Sequence, residues 1–131
     1  MARLKLIPEK VIIRSVLIRL QMWEMKGVVI HADRYNAGFL HYGGKYGLHI
    51  KMAKAGTPDI TAYIKHKNIC AICFFECKSS IGCQSDNQIK FMMKFKDLNN
   101  VYYDIVKDPA QIDERIESIT GYSQSVLNSM N

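Results

Sequence analysis

An α/β fold, a mixed sheet flanked by helices, is what this sequence predicts, and three observations carry it. Near the N-terminus apolar residues recur with helical spacing, at Ile12, Ile13, Val16, Leu17, Leu20 and Trp23. Further on, two apolar runs, 60–64 and 71–75, flank the polar His66-Lys67-Asn68 and read as a central hairpin. After the hairpin the pattern changes to helix, strand, helix, so the whole order is a helix, three or four strands, then helix, strand and helix.

The chain of 131 residues is expected to be one domain, with its core over about 9–120 and a loose, polar C-terminal tail. A hydrophobic fraction of 48% against 23% charged residues is the balance of a folded globular protein, which excludes a disordered chain. The formal charge of +6 is unevenly placed: residues 1–100 hold sixteen Lys/Arg against seven Asp/Glu, and the remainder two against five. A basic region of that kind favours a polyanion partner. Charges at Arg3, Lys5, Lys10, Arg14 and Arg19 break every apolar span near the N-terminus well short of the ~20 residues a membrane helix needs. With no secretory cleavage pattern either, a cytoplasmic protein with reduced thiols is expected.

In chain order, Pro8 suits the first turn of a helix, Glu9 beside it suits the positive end of the dipole, and Gly27 ends the run. Val11, Ile18, Met22 and Met25 widen its apolar stripe, which calls for cover from the rest of the domain or from a second copy of the chain. Val28, Val29 and Ile30 open a strand. Residues 39–42 and 48–52 read as short strands joined by a turn at Gly43-Gly44. Their His41 and His49 are read as hydrogen-bonded strand residues before ligands. Gly56 allows the backbone to pass close to a ligand, and the hairpin that follows is apolar enough to be covered on both faces. Residues 79–84 form a loop, and Ser85 is a good N-cap for a helix reaching about Leu98. On that helix Ile89, Met92, Met93 and Phe95 are expected to pack inward, leaving Lys90, Lys94 and Lys96 on a basic face that reads as solvated or as phosphate contacts. Asn99-Asn100 turn into a strand at 101–106, and Asp108-Pro109 cap a last helix with Ile112, Ile116 and Ile119 inside, stopped by Gly121.

The chemistry gathers around the hairpin. Alternation puts Glu76 and Lys78 on one strand face and Cys77 on the other. If the hairpin is centred between Lys67 and Asn68, Asp59 pairs with Glu76, and cross-strand partners share a face. Two adjacent carboxylates repel and favour a divalent cation between them, while a nearby ammonium steadies an anion. The plainer reading is a turn aspartate after Pro58 and an exposed cross-face pair. Cys70, Cys73, Cys77 and Cys83 crowd fourteen positions, but three fall in the hairpin strand, where a small thiol is ordinary core filling; packing is favoured over zinc.

The same residues carry a resemblance. Gly56-Thr57-Pro58-Asp59, an apolar strand and then E-C-K-S-S-I-G-C-Q-S-D-N-Q over 76–88 look like the VRR-NUC group of the PD-(D/E)XK, restriction-endonuclease-like nucleases. That family's pattern, roughly G-x-x-D then E-V-K-x-x-x-G-x-x-S-x-x-Q, is matched at Gly56, Asp59, Glu76, Lys78, Gly82, Ser85 and Gln88. Cys77 stands where Val is usual, and Ser80 and Asp86 where Pro often sits; the similarity spans about 9–107. Arg34-Tyr35-Asn36-Ala37-Gly38 also resembles an R-x-N-x-G stretch of such proteins and reads equally well as a turn.

The resemblance implies an αβββαβ core and a nuclease that needs Mg²⁺ or Mn²⁺ and cuts DNA, with branched, flap or Holliday-junction substrates in replication or repair and a phage or bacterial homodimer as the setting. It implies that Asp59, Glu76 and the backbone carbonyl of Cys77 bind the ion, that Lys78 positions or activates the attacking water, and that Gln88 supports the site. Glu9 is placed to join the metal site, or is simply a first-turn acid. Arg34, Asn36, Lys54, Ser85, Lys90 and Lys94 are the expected nucleic-acid contacts. A binding module of the same fold without activity is the alternative.

Overall fold

The computed structural model describes residues 6–35, 39–42, 48–51 and 55–123. In chain order it runs α1 (Glu9–Met25), β1 (Val29–Arg34), β2 (Phe39–Tyr42), β3 (Leu48–Lys51), β4 (Ile60–His66), β5 (Ile69–Cys77), α2 (Asp86–Lys94), β6 (Val101–Val106) and α3 (Ala110–Thr120). Strands β1, β4, β5 and β6 form one sheet in that spatial order, antiparallel except for the parallel β5–β6 pair. Strands β2 and β3 pair apart from it as a ribbon. The fold is the expected α/β arrangement of a mixed sheet flanked by helices, and without the ribbon its order is αβββαβ followed by the last helix α3. Parallel neighbours cannot be joined by a tight turn, so the β5–β6 pair requires a crossover, and α2 supplies it.

The hairpin has the register its symmetry implies. Ile60 pairs with Phe75 and His66 with Ile69, leaving Lys67 and Asn68 as the turn, with Lys67 at a φ of 56°. Alternation then sorts the side chains. Ile60, Ala62 and Ile64 join Ala71, Cys73, Phe75 and Cys77 on a buried face, where Ile12, Ile13, Val16, Leu20 and Trp23 of α1 and Ile112 and Ile116 of α3 close one core. Helix α2 lies on the opposite face through rings: Phe74 sits 5.1 Å from Phe91 and 4.8 Å from Phe95, centroid to centroid.

A buried carboxylate fastens α1 to α3. Arg19 Nε donates to both oxygens of Asp113, at 3.0 and 2.8 Å, and Trp23 Nε1 donates to Oδ1 at 2.8 Å. At the end of α3, Gly121 takes the left-handed conformation expected of a helix stop, at a φ of 79°.

Several sequence expectations need correction. Cys70 is exposed, because it falls on the α2 side of β5 near the hairpin turn, whereas Cys73 and Cys77 are buried as expected. Helix α2 ends at Lys94, not near Leu98; Ile89 and Met93 are exposed, and Phe91 takes the inward place. Val11, Ile18, Met22 and Met25 are exposed, so among the described residues nothing covers the second stripe of α1. Gly56, at a φ of 87°, is needed for the close approach of α2: a Cβ there would overlap the Asn87 carbonyl. Asn36, Lys54, the Gly43-Gly44 turn, Met52, the side chains of His41 and His49, and the tail beyond Ser123 lie outside the described residues. Among the described residues no helix is long and apolar enough to cross a membrane.

Candidate metal centre

Extending the β4–β5 register by one residue sets Asp59 against Glu76, and the side chains do meet. Asp59 Oδ2 accepts a 2.8 Å hydrogen bond from the Cys77 N–H. The first turn of α1 brings Glu9 to the same end of the strands, so that Glu9, Asp59 and Glu76 each place a carboxylate oxygen within 4.8 Å of the others. Glu9 is exposed, Asp59 half-buried and Glu76 buried. At Cys77 the group seen in the site is therefore the N–H; its carbonyl stays an expectation.

Glu76 is the unusual member. Only 2% of it is exposed, and as an ionised carboxylate its Oε2 is buried with no hydrogen-bond partner. The other oxygen accepts from Gln88 Nε2 at 2.7 Å and lies 3.7 Å from Lys78 Nζ. Burial, then the charge of Asp59 and the hydrogen bond a protonated Glu76 gives it, pushes the Glu76 carboxyl up to about 8. Lys78 pulls the other way and Glu9 adds to the rise. One proton thus holds two repelling carboxylates together near neutral pH. Three hard oxygen donors that repel, one of them buried and unpartnered, fit a hard divalent cation such as Mg²⁺ or Mn²⁺, which does for the cluster what that proton does.

The supporting residues are fixed by the start of α2. Ser85 and Gln88 form a capping box, in which the Gln88 N–H donates to Ser85 Oγ at 3.3 Å and the Ser85 N–H donates to Gln88 Oε1 at 2.8 Å. With Oε1 held by Ser85, the Gln88 amide has only its NH₂ to offer Glu76, so the cap sets the direction of that contact. Ser85 is thereby the N-cap that the sequence predicts for α2, and it is exposed. Gly82 leaves room for Lys78, since a Cβ there would come within 3.1 Å of the lysine Cβ and 3.3 Å of its Cδ.

Of the remaining expected contacts, Arg34 is exposed at the end of β1, next to the Tyr35 N–H that donates to the Asp59 carbonyl at 2.8 Å. Lys90 and Lys94 are exposed on α2. The sequence reading missed Lys10 and Arg14, which line an open groove with Ile13, Leu17 and Arg34; their four-residue spacing on α1 was the available signal. Comparison with models of protein families, with curated protein sequences and with solved structures found no significant match.

Proposed function

We propose that this protein is a divalent-metal-dependent nuclease that hydrolyses DNA phosphodiester bonds, with branched, flap or Holliday-junction DNA in replication or repair as its substrate. The observation that carries the reading is the buried, unpartnered Glu76 Oε2 inside a cluster of three carboxylates, with Lys78 Nζ 3.7 Å from the other Glu76 oxygen. Glu9, Asp59 and Glu76 would hold Mg²⁺ or Mn²⁺, with the Cys77 carbonyl as a further donor. Such an ion supplies positive charge and polarises the oxygens around it.

The protein's own groups do the rest. To hold such an ion Glu76 would release its proton to solvent and act as a carboxylate. Gln88 holds the Glu76 carboxylate in one orientation, through a side chain whose other end is tied into the helix cap. Lys78, mostly buried with 15% of its side chain exposed, offsets the negative charge that grows on the phosphate in the transition state and positions the attacking water. Lys90 and Lys94 offer further phosphate contacts from α2. A homodimer belongs to the same reading and is supported by the exposed Val11, Ile18, Met22 and Met25 of α1. A cytoplasmic setting, in a bacterial cell or a phage-infected host, is supported by four free thiols.

The test is cleavage of labelled linear, flap and four-way DNA with Mg²⁺, Mn²⁺ or EDTA, using the parent protein and the Asp59→Ala and Lys78→Ala variants. Cutting that needs the metal and disappears in both variants, with DNA binding retained, is the expected result. Metal-dependent cutting by both purified variants overturns the assignment, and tight binding without a product under any metal points to the inactive binding module.

A further inference from the structure

Two of the arginines in this fold are committed to its architecture. Arg19 grips Asp113, and Arg115 grips Asp104 with Nε and Nη2 at 2.7 and 2.8 Å. Lys10, Arg14 and Arg34 are different: among the described residues no carboxylate lies within ion-pair distance of any of them. All three are exposed, and they line a groove of about 220 Å³ whose other walls, among the described residues, are Ile13 and Leu17.

The position of the groove follows from the chain. Lys10 is the residue after Glu9, one of the three clustered acids. Arg34 pairs with Ile60, the residue after Asp59. The carboxylate cluster and the groove are therefore adjacent, one suited to a cation and the other to an anion. An apolar floor with cations around it matches a sugar–phosphate unit, with the sugar against Ile13 and Leu17 and the phosphate among the charges.

We propose that this groove seats a phosphate of the nucleic-acid strand beside the one that is cleaved, with Lys10 and Arg14 joining Arg34 as its positioning residues. The proposal rests on the nuclease reading and adds to it the side of the cleavage point from which the strand is held, which is that of α1. A phosphate held there fixes the strand relative to the carboxylates, and the contact contributes equally to ground state and transition state.

The experiment compares two double variants of equal charge change, Lys10→Gln/Arg14→Gln in the groove and Lys65→Gln/Lys67→Gln at the hairpin turn, six or more residues along β4 and so about 20 Å from Asp59. Binding of a fluorescent DNA oligonucleotide is followed by anisotropy across a salt series in EDTA. The groove variant is expected to bind more weakly and to lower the slope of log affinity against log salt by about one to two, with the hairpin variant unchanged. Arg14→Lys, which keeps the charge, should retain the parent slope, and thermal melts of every variant should match the parent. In cleavage the groove variant should raise KM with little change in kcat, and should hydrolyse a small chromogenic phosphodiester with Mn²⁺ as fast as the parent. Parent-like affinity and slope in the groove variant, or equal losses in the two variants, overturn the proposal. Failure of the nuclease reading registers separately, as absence of metal-dependent cleavage in the parent or its persistence in Asp59→Ala, and leaves the EDTA binding comparison readable.

Discussion

Among the described residues two carboxylates are buried, and the protein treats them in opposite ways. Asp113, 5% exposed, is surrounded by donors: Arg19 reaches both oxygens and Trp23 adds a third bond. Glu76, 2% exposed, receives one bond from Gln88, has an ammonium at 3.7 Å, faces two other acids and keeps one oxygen unpartnered. A buried charge is tolerable when its partners are built in. Asp113 meets that condition within the chain, and Glu76 meets it only by holding a proton or by taking a cation from outside. The contrast separates an acid that holds helices together from one kept ready for a ligand.

The sharpest way to break the contrast is by exchange of function for stability. Glu76→Gln should lower metal-dependent DNA cleavage by roughly a thousandfold or more while leaving the metal-free protein at least as stable, because a neutral amide replaces an uncompensated acid. Gel assays and urea melts on the same preparation read both effects; a strongly destabilised Glu76→Gln would make Glu76 a structural acid like Asp113. Asp113→Ala should do the reverse, costing about 3 kcal/mol of unfolding free energy by stranding Arg19, with Mn²⁺ affinity by calorimetry unchanged.

Acidity sharpens the comparison further. A Glu76 carboxyl raised to about 8 in the folded state, above its unfolded value, contributes stability that is fully present below the unfolded pKa of about 4.5 and lost as pH rises through about 8. The metal-free protein should therefore lose on the order of 2 kcal/mol between pH 5.5 and 8, and Glu76→Gln should flatten that slope in urea melts. Mn²⁺ binding should release a proton below pH 8, seen as a buffer-dependent enthalpy, and release less in Glu76→Gln. The smallest effect falls on the support: Ser85→Ala should cost about 1 kcal/mol as a lost N-cap. It should also weaken cleavage by loosening Gln88; unchanged cleavage would show that the cap does not orient the site.

Much of this site was legible because a hairpin is a symmetric object. With the hairpin centred between Lys67 and Asn68 the register follows by counting, and Asp59 falls opposite Glu76. Glu9 was placed only by resemblance, since no local pattern says where the first turn of a helix docks. Gly56 was read as making room for a ligand, yet what approaches it is the backbone of Asn87, thirty-one residues on. A glycine announces that something comes close, not what. The inward face of α2 was misjudged because the helix is short, and a two-turn element is positioned by a few rings such as Phe91 and Phe95 more than by a stripe. The Arg19–Asp113 pair spans ninety-four positions, and its one hint was an aspartate next to Ile112 on the apolar side of α3.

The missing side chain at Gly56 ties two otherwise separate parts of the chain into a single mechanical unit. The turn leading to Asp59 and the helix carrying Gln88 touch there, backbone against backbone, with no space for a methyl group. Enlarging that residue by one carbon would prise the helix outward like a wedge under a door. The glutamine would be drawn away from Glu76 although neither residue had been altered.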